Sequence, residues 1–258
     1  MTTSTDPPAL SASAALFLDF DGTLAPIAPR PQDVRVPAWV LPALQALQLR
    51  LGGALAIVSG RPIAQLDEFL APLRLAAAGA HGAEWRAASG GVERQAVAVP
   101  GGVMACARAL AAAHAGLILE PKATGLSLHY RARPELEATC GDALFAALAA
   151  APGASATWEW LHGHRVFELK QRSVSKGIAV ARLLAEPAFA GRQPVFVGDD
   201  LTDEDGIDVV QAAGGFGVRV GPGTSRARYR LSDPDAVGAW LCERERSSPD
   251  RPQESSIA

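Results

Sequence analysis

Three short apolar segments of the chain each stop abruptly at polar residues. Residues 14–20 end in the sequence DFDGT, which begins at Asp19, residues 55–58 run into SGR, and residues 194–197 run into GDD. Apolar runs this short, bounded by Gly or Asp, are typical of strands buried on both faces of a parallel sheet. The pattern predicts three core strands whose carboxyl ends carry polar side chains.

Helical periodicity follows the first two of these strands. The leucines within residues 37–51 are spaced as on one helix face, and residues 62–70 begin with a proline, which favours the first turn of a helix. Strand and helix in alternation imply βαβ units with right-handed crossovers. Because ligands of such open sheets lie beyond the carboxyl ends of the strands, we expect the three polar clusters to meet at one site.

The middle of the chain departs from this alternation. We interpret residues 100–170 as a smaller inserted domain within an α/β core of residues 14–99 and 171–243. Inside the insert, helical spacing covers residues 103–115 and 134–150, and the candidate strands are 117–121, 126–131, 156–160 and 165–170. The core is expected to resume at 173–184 and to end with elements at 209–213, 216–220 and 237–243.

Both ends of the chain are predicted to be disordered. Residues 1–13 contain two prolines and no basic residue, so they predict a loose leader and not a signal peptide. Residues 244–258 mix charge with Ser, Pro and Gln and predict a disordered tail.

Composition narrows the class of function. The 258 residues carry a formal net charge of −3 at pH 7, so there is no global basic field to hold nucleic acid. No apolar run approaches the roughly 18 residues of a membrane span. The 3 cysteines match no metal or disulfide framework, which favours reduced thiols in a cytoplasmic protein. Neither nucleic acid nor a membrane is therefore an expected partner.

Two acidic clusters suggest a metal site. Asp19 and Asp21 follow the first strand, and Asp199, Asp200 and Asp203 follow the third. Each cluster alone could be an ordinary loop or an acidic helix start. Together at one sheet edge the carboxylates would repel one another unless a cation neutralised them, and oxygen-only ligands suit Mg²⁺.

A hydroxyl and a lysine are candidates for binding phosphate. Ser59 precedes a predicted helix start, where backbone N–H groups favour anions, although a simple helix cap would look the same. Lys176 opens a predicted helix, where its charge opposes the helix dipole, so its placement needs another reason than helix stability. Lys170 is a rival for the same role.

At these positions the chain resembles a known family. The sequences DFDGTL at Asp19, Ser59, Lys176 and GDDLTD at Gly198 are similar, in order, to the four motifs of the haloacid dehalogenase superfamily. Further segments resemble its trehalose-phosphatase family, over residues 14–241 in all; they read SGRP, GAHGAE, EPK, LSLHYR and GDDLTDED. The resemblance implies a Rossmann-like haloacid dehalogenase core with a parallel sheet and an inserted α+β cap domain. It also implies Mg²⁺-dependent hydrolysis of trehalose 6-phosphate to trehalose and phosphate, the last step of trehalose biosynthesis.

The same resemblance implies roles in the core. Asp19 would be the nucleophile that takes the phosphoryl group as an aspartyl-phosphate, and Asp21 would protonate the leaving sugar oxygen and then activate water. Ser59 and Lys176 would bind phosphoryl oxygens. Mg²⁺ would be held by the Asp19 carboxylate, the backbone carbonyl of Asp21 and Asp199.

In the cap, Glu120, Lys122 and Glu168 match positions that hydrogen-bond sugar hydroxyls, and Arg131 matches a basic residue near the phosphate. Arg61 is a further candidate for substrate binding, with a structural ion pair as the alternative.

Four more residues have less defined roles. His81 and Glu84 match wall residues of the core, while Asp200 and Asp203 would act on the metal through water or by supporting its ligands.

Other functions remain open at this point. A broader sugar phosphatase acting on glucose or sucrose phosphates would differ in its cap residues. A phosphomutase would use the same core chemistry, and a receiver-like module would store phosphate on Asp19 as a signal. The resemblance also implies a pathway link to a trehalose-6-phosphate synthase.

Overall fold

The protein consists of two sheets with helices packed beside them. The computed structural model describes residues 6–28, 30–87, 90–94, 98–122, 125–163 and 165–243. The strands of the described chain are, in order, β1 (Ala14–Leu18), β2 (Leu55–Val58), β3 (Ala76–Gly79), β4 (Glu84–Arg86), β5 (Glu93–Arg94), β6 (Ile118–Lys122), β7 (Gly125–His129), β8 (Trp158–Gly163), β9 (Val166–Gln171), β10 (Gln193–Gly198), β11 (Phe216–Val220) and β12 (Tyr229–Leu231). The helices are α1 (Val40–Arg50), α2 (Ile63–Phe69), α3 (Gly101–Ala113), α4 (Glu137–Ala149), α5 (Ala154–Thr157), α6 (Lys176–Leu184), α7 (Glu204–Ala212) and α8 (Pro234–Cys242). Among the described residues, no helix is both long and apolar enough to cross a membrane.

The larger sheet is the core of the protein. Its eight strands lie in the order β12-β11-β10-β1-β2-β3-β4-β5, and all neighbours pair in parallel except β3 with β4 and β4 with β5, which are antiparallel. The central strand β1 is fully buried and pairs in parallel with β10 on one side and β2 on the other. The predicted α/β fold with a parallel central sheet is therefore confirmed, and the carboxyl ends of β1, β2 and β10 share one edge.

A second, smaller sheet is built by the middle of the chain. Its four antiparallel strands lie in the order β6-β7-β9-β8, and apolar side chains of one face pack with α3 and α4 in a separate hydrophobic cluster. Along β9 the side chains alternate: Phe167 and Leu169 are buried in that cluster, while Glu168 and Lys170 are half-buried on the opposite face. The sheet thus keeps a polar face free of its own helices, and we call these elements, α3 to β9, the small unit.

Several elements of the core and of the small unit differ from the sequence prediction. Strands β3, β4, β5 and β12 were not predicted, and β3 has the sequence AAAG, which lacks the β-branched residues that mark strands. Residues 154–157 form the short helix α5 where a strand was expected from 156, and α7 begins at Glu204, five residues before the predicted start.

The predicted leader is ordered over its described part. Leu10 is 4% exposed and belongs to the main core cluster. The indole Nε1 of Trp240 donates to the Pro8 carbonyl at 2.8 Å, and Arg192 donates to the Ala12 carbonyl at 3.2 Å. The prediction of a disordered leader is therefore wrong for residues 6–13, because apolar burial and two hydrogen bonds fix them. Residues 1–5 and the predicted tail, 244–258, lie outside the described residues.

Candidate active site

The ends of the three central strands bring the predicted core residues into one cavity. Asp19 follows β1 and Ser59 follows β2, and each continues the strand pairing through its backbone N–H, to Val197 and Ala78 respectively. Both residues are almost fully buried, at 3% and 1% exposure. Together with the acidic loop after β10, they line a cavity of about 620 Å³. The convergence expected from parallel strands is present.

Lys176 lies at the bottom of this cavity between two carboxylates. Its ammonium group is 2.9 Å from Asp19 Oδ1 and 2.6 Å from Asp203 Oδ1, and its side chain is 2% exposed. Burial alone would lower the pKa of this lysine, but the charges of Asp19 and Asp203 outweigh it and raise the pKa above its usual range. Lys176 is therefore a fixed positive charge, and this explains a cation at the start of a helix. Lys170 instead pairs with Glu159 at 3.3 Å within the small unit.

The carboxylates at the strand ends disfavour one another's charge. Burial raises the pKa of Asp19 to about 7, although Lys176 opposes the shift. Burial, together with the charges of Asp203 and Asp200, raises the pKa of Asp199 to about 6. Carboxylate oxygens of Asp19, Asp199 and Asp203 all lie within 4.8 Å of one another. Such a donor set consists only of carboxylate oxygens, whose negative charges a cation would offset, and it fits a hard divalent cation such as Mg²⁺.

Asp203 and Asp200 shape the acidic loop by hydrogen bonding. Asp203 Oδ2 accepts from the backbone N–H groups of Asp199 and Asp200, each at 2.9 Å, while Oδ1 accepts from Lys176. Asp200 Oδ1 accepts from both the backbone N–H and the hydroxyl of Thr202 at 2.8 Å. Because Asp203 is fully buried and holds three donors, its geometry suits a support for the loop better than direct metal binding.

Asp21 is held by Arg61. The Nε and Nη2 atoms of Arg61 donate to the two oxygens of Asp21 at 2.6 and 2.7 Å. The guanidinium carbon lies 5.0 Å from the ring centroid of Phe69 and 5.7 Å from that of Phe20. Of the two interpretations of Arg61, this structure displays the ion pair, although both residues also line the cavity.

The polar face of the small unit meets the core site. Glu120 lines the same cavity as Asp19. Lys122 and Glu168 line an adjoining cavity of about 250 Å³ that Lys176 also borders, and the Lys122 ammonium donates to Glu168 Oε1 at 2.8 Å. Three predicted sugar-binding residues thus line cavities that Lys176, at the strand ends of the core, also borders.

Arg131 is not brought to this site. It follows β7 in an exposed turn and lines neither cavity, whereas Gly125, at the other end of the strand, lines the smaller one. A role near the phosphate is therefore not supported by its position here, because a five-residue strand separates it from the site.

Glu84 has a role that sequence reasoning did not find. Its Oε2 accepts from the backbone N–H of Ile63 at 2.7 Å, which caps the start of α2, and its Oε1 accepts from Arg94 at 3.0 Å. The segment GAHGAE signalled that the position matters, but only the pairing of β3 with β4 places the carboxylate at that helix start.

Comparisons with known proteins agree with this geometry. The family model described as trehalose-phosphatase matches residues 17–235. The trehalose-6-phosphate phosphatase of Escherichia coli strain K12 is 40% identical over 242 residues, which cover 92% of this chain and 88% of that protein. A probable trehalose-phosphate phosphatase of Sinorhizobium fredii is 37% identical over 86% of this chain and 83% of its own length. The solved trehalose-6-phosphate phosphatase of Aspergillus fumigatus (crystal form 3) superposes with a TM-score of 0.70 at 28% identity and covers 91% of this chain and 97% of that one.

The matching family model and relatives show that this parallel α/β core, with Asp19 and Lys176 paired at its strand ends and a second sheet facing them, belongs to a phosphatase. More narrowly, the chain belongs to the trehalose-phosphatase family. It is an enzyme, a phosphoric monoester hydrolase.

Proposed function

We propose that this protein hydrolyses trehalose 6-phosphate to trehalose and phosphate, through an aspartyl-phosphate on Asp19 and with Mg²⁺ as cofactor. The observation that carries the proposal is the buried Asp19–Lys176 pair at 2.9 Å, which lines the same cavity as Glu120. A carboxylate nucleophile, a fixed cation for phosphoryl oxygens and a polar wall for a sugar are the parts that this reaction needs.

In the first half-reaction, an Asp19 oxygen attacks phosphorus and the bond between phosphorus and the sugar oxygen breaks. Asp21 gives a proton to that oxygen, so trehalose leaves as a neutral alcohol. Because both Asp21 oxygens are bound by Arg61 in this structure, Asp21 has to turn away from Arg61 to reach the ester. Lys176 and Ser59 hold the transferring phosphoryl oxygens, where charge is spread in the transition state.

In the second half-reaction, water attacks the phosphorus of the aspartyl-phosphate. Asp21, now ionised, takes a proton from the water, and the bond between phosphorus and the Asp19 oxygen breaks. Phosphate leaves, and both aspartates return to their starting states.

Mg²⁺ would be held by the Asp19 carboxylate, the backbone carbonyl of Asp21 and Asp199. When bound, the ion supplies positive charge that offsets the charge of the phosphoryl oxygens. Asp203 supports these ligands by holding Lys176 and the backbone of the acidic loop.

Residues 100–170, which contain nearly all of the small unit, act as a cap domain that binds the sugar. Glu120, Lys122 and Glu168 present charged hydrogen-bonding groups to the core, and such groups penalise a ligand that lacks the matching hydroxyl. This wall favours a disaccharide phosphate over a smaller phosphate ester.

A pathway link to a trehalose-6-phosphate synthase, in the cytoplasm, belongs to the same proposal. It is supported by a relative from Thermoproteus tenax that is named a bifunctional trehalose-6-phosphate synthase/phosphatase; it is 34% identical over 84% of this chain, which spans 30% of that protein.

Phosphate release from a panel of esters tests the proposal. Wild-type protein with Mg²⁺ is compared on trehalose 6-phosphate, glucose 6-phosphate and sucrose 6-phosphate, with Asp19→Asn as the blank. We expect a strong preference for the trehalose ester and no release by Asp19→Asn, because an amide cannot form the acyl phosphate. Borohydride reduction after acid quenching should convert Asp19 of the wild type to homoserine, which mass spectrometry detects.

Equal rates across the panel would leave the chemistry intact but make the protein a general sugar phosphatase. An Asp19→Asn variant as active as the wild type would contradict the aspartyl-phosphate. An acyl phosphate that persists without turnover on any ester would favour a phosphate-storing module instead.

A further inference from the structure

The backbone around His81 is strained in a way that aims this side chain. Ala80, His81 and Gly82 have φ angles of 48°, 59° and 105°, so three successive residues lie in the left-handed region. Two of them are not glycine, and such conformations persist only where the surroundings enforce them. The turn is tied to the loop after β2, because the N–H groups of Ala80 and His81 donate to the carbonyls of Arg61 and Ser59 at 2.8 and 3.0 Å.

Two glycines make room for the imidazole ring and its turn. A Cβ atom at Gly60 would lie 2.7 Å from both Cε1 and Nε2 of His81. A Cβ atom at Gly82 would lie 2.8 Å from the carbonyl oxygen of Ser175, directly before Lys176. The ring therefore lies against the loop that carries Ser59, and the turn that carries the ring lies against the helix start before Lys176.

His81 borders both halves of the site. It lines the larger cavity with Asp19 and the smaller cavity with Lys122 and Glu168. If the phosphoryl group of a substrate lies at Asp19 and its sugar lies beside the small unit, the bond between them has to pass this ring. No other side chain among the described residues, apart from Lys176, borders both cavities.

The ring also has unused hydrogen-bonding capacity. Its Nδ1 is buried and has no partner among the described residues, which is uncommon for a buried polar atom. Burial, and then the charge of Lys176, lower the pKa of His81, which favours the neutral ring with one donor and one acceptor. An apolar residue would fill the same space without leaving a nitrogen unpaired, so packing alone does not account for histidine here.

We propose that His81 is a substrate-binding residue that hydrogen-bonds a hydroxyl group of the phosphorylated sugar ring, beside the ester that is broken. The inference rests on the proposed sugar phosphatase activity and deepens it. It adds a sugar contact from the core, next to the phosphate, whereas the other proposed sugar contacts, Glu120, Lys122 and Glu168, belong to the small unit.

The test compares two substrates within each variant. His81→Ala and His81→Asn are assayed on trehalose 6-phosphate and on p-nitrophenyl phosphate, an ester without hydroxyl groups. Asparagine tolerates the left-handed backbone and keeps a donor and an acceptor. His114→Ala, at the end of α3 and outside both cavities, is the matched control.

For His81→Ala, we expect kcat/KM for trehalose 6-phosphate to fall about 10- to 100-fold relative to kcat/KM for p-nitrophenyl phosphate. His81→Asn should recover most of this ratio, and His114→Ala should match the wild type. Because the ratio is taken within one preparation, partial unfolding of a variant cancels. An equal loss on both substrates, or no loss on either, would overturn the inference.

The wild-type arm separates this outcome from failure of the proposed function. If the wild type prefers another hexose 6-phosphate, the proposed substrate is wrong, and the same ratio formed with that ester still tests His81.

Discussion

Replacing Gly22 with alanine tests whether Asp199 has to lie where the structure places it. Gly22 has a φ angle of +79°, and a Cβ atom there would be 2.2 Å from Asp199 Oδ2 and 2.3 Å from its Cγ. Ordinary contacts of a Cβ atom begin at 3.4 Å, so the carboxylate must move by about 1 Å or more. Asp199 is a proposed Mg²⁺ ligand, and its displacement should be read out in catalysis.

Gly53→Ala is the matched control, because Gly53 has a φ angle of +85° and no atom within 4 Å of its ideal Cβ position. Both variants should lose about 1 kcal/mol of unfolding free energy from left-handed backbone strain. Only Gly22→Ala should, in addition, displace Asp199, the proposed Mg²⁺ ligand.

For Gly22→Ala we expect kcat/KM to fall about 100-fold and the half-saturating Mg²⁺ concentration to rise about 10-fold or more. Urea unfolding and phosphate release at varied Mg²⁺ measure the two effects separately. If Gly22→Ala and Gly53→Ala had the same Mg²⁺ dependence and the same kcat/KM, the assigned position of Asp199 would be refuted.

Three further predictions concern the surroundings of the site. Glu84→Ala should lower the unfolding free energy by about 1 to 3 kcal/mol, because the buried N–H of Ile63 loses its acceptor. The control Glu93→Ala breaks only an exposed ion pair and should cost less than about 1 kcal/mol in the same urea titration. Equal losses in the two variants would contradict the capping role of Glu84. Lys176→Met should lower kcat about 100-fold or more, while Lys170→Met stays close to the wild type; the reverse order in steady-state assays would exchange their roles. Chelation with EDTA should abolish phosphate release. The Mg²⁺ concentration that restores half of it should rise as the pH falls from about 8 to about 6, because protons compete with the cation for the buried carboxylates of Asp199 and Asp19, whose pKa values are raised to about 6 and about 7. A Mg²⁺ requirement that is constant with pH would show that these carboxylates do not hold the ion.

Much of the core could be predicted from local sequence. Strand β2 has the predicted bounds, because a continuous apolar run ended by Ser has few alternatives to a strand buried on both faces. Strand β11 coincides with a core element predicted at residues 216–220. The same logic located Asp19, Ser59 and Asp199, since parallel strands place their carboxyl ends at one edge. Family membership followed from these motifs and is confirmed by the comparisons.

Other elements depend on partners far along the chain. The alanines of β3 form a strand because β2 and β4 lie on either side of it, and alanine itself has no such preference. Leu10 and its neighbours are ordered because they pack against the core surface beside Trp240. A sequence pattern reports a residue's own tendency and carries no information about which distant surface covers it.

The tertiary structure alone decided how the polar residues of the site are used. From sequence, Arg61 could bind substrate or form an ion pair, and only the approach of the loop after β2 to Asp21 shows the pair. Asp203 resembled its acidic neighbours until burial and three hydrogen bonds distinguished it as the support of the loop. His81 had no defined role until its strained turn placed it between two cavities. Sequence determined which chemical groups are present at the sheet edge, whereas burial and long-range hydrogen bonds, which depend on the whole fold, determined which groups face one another.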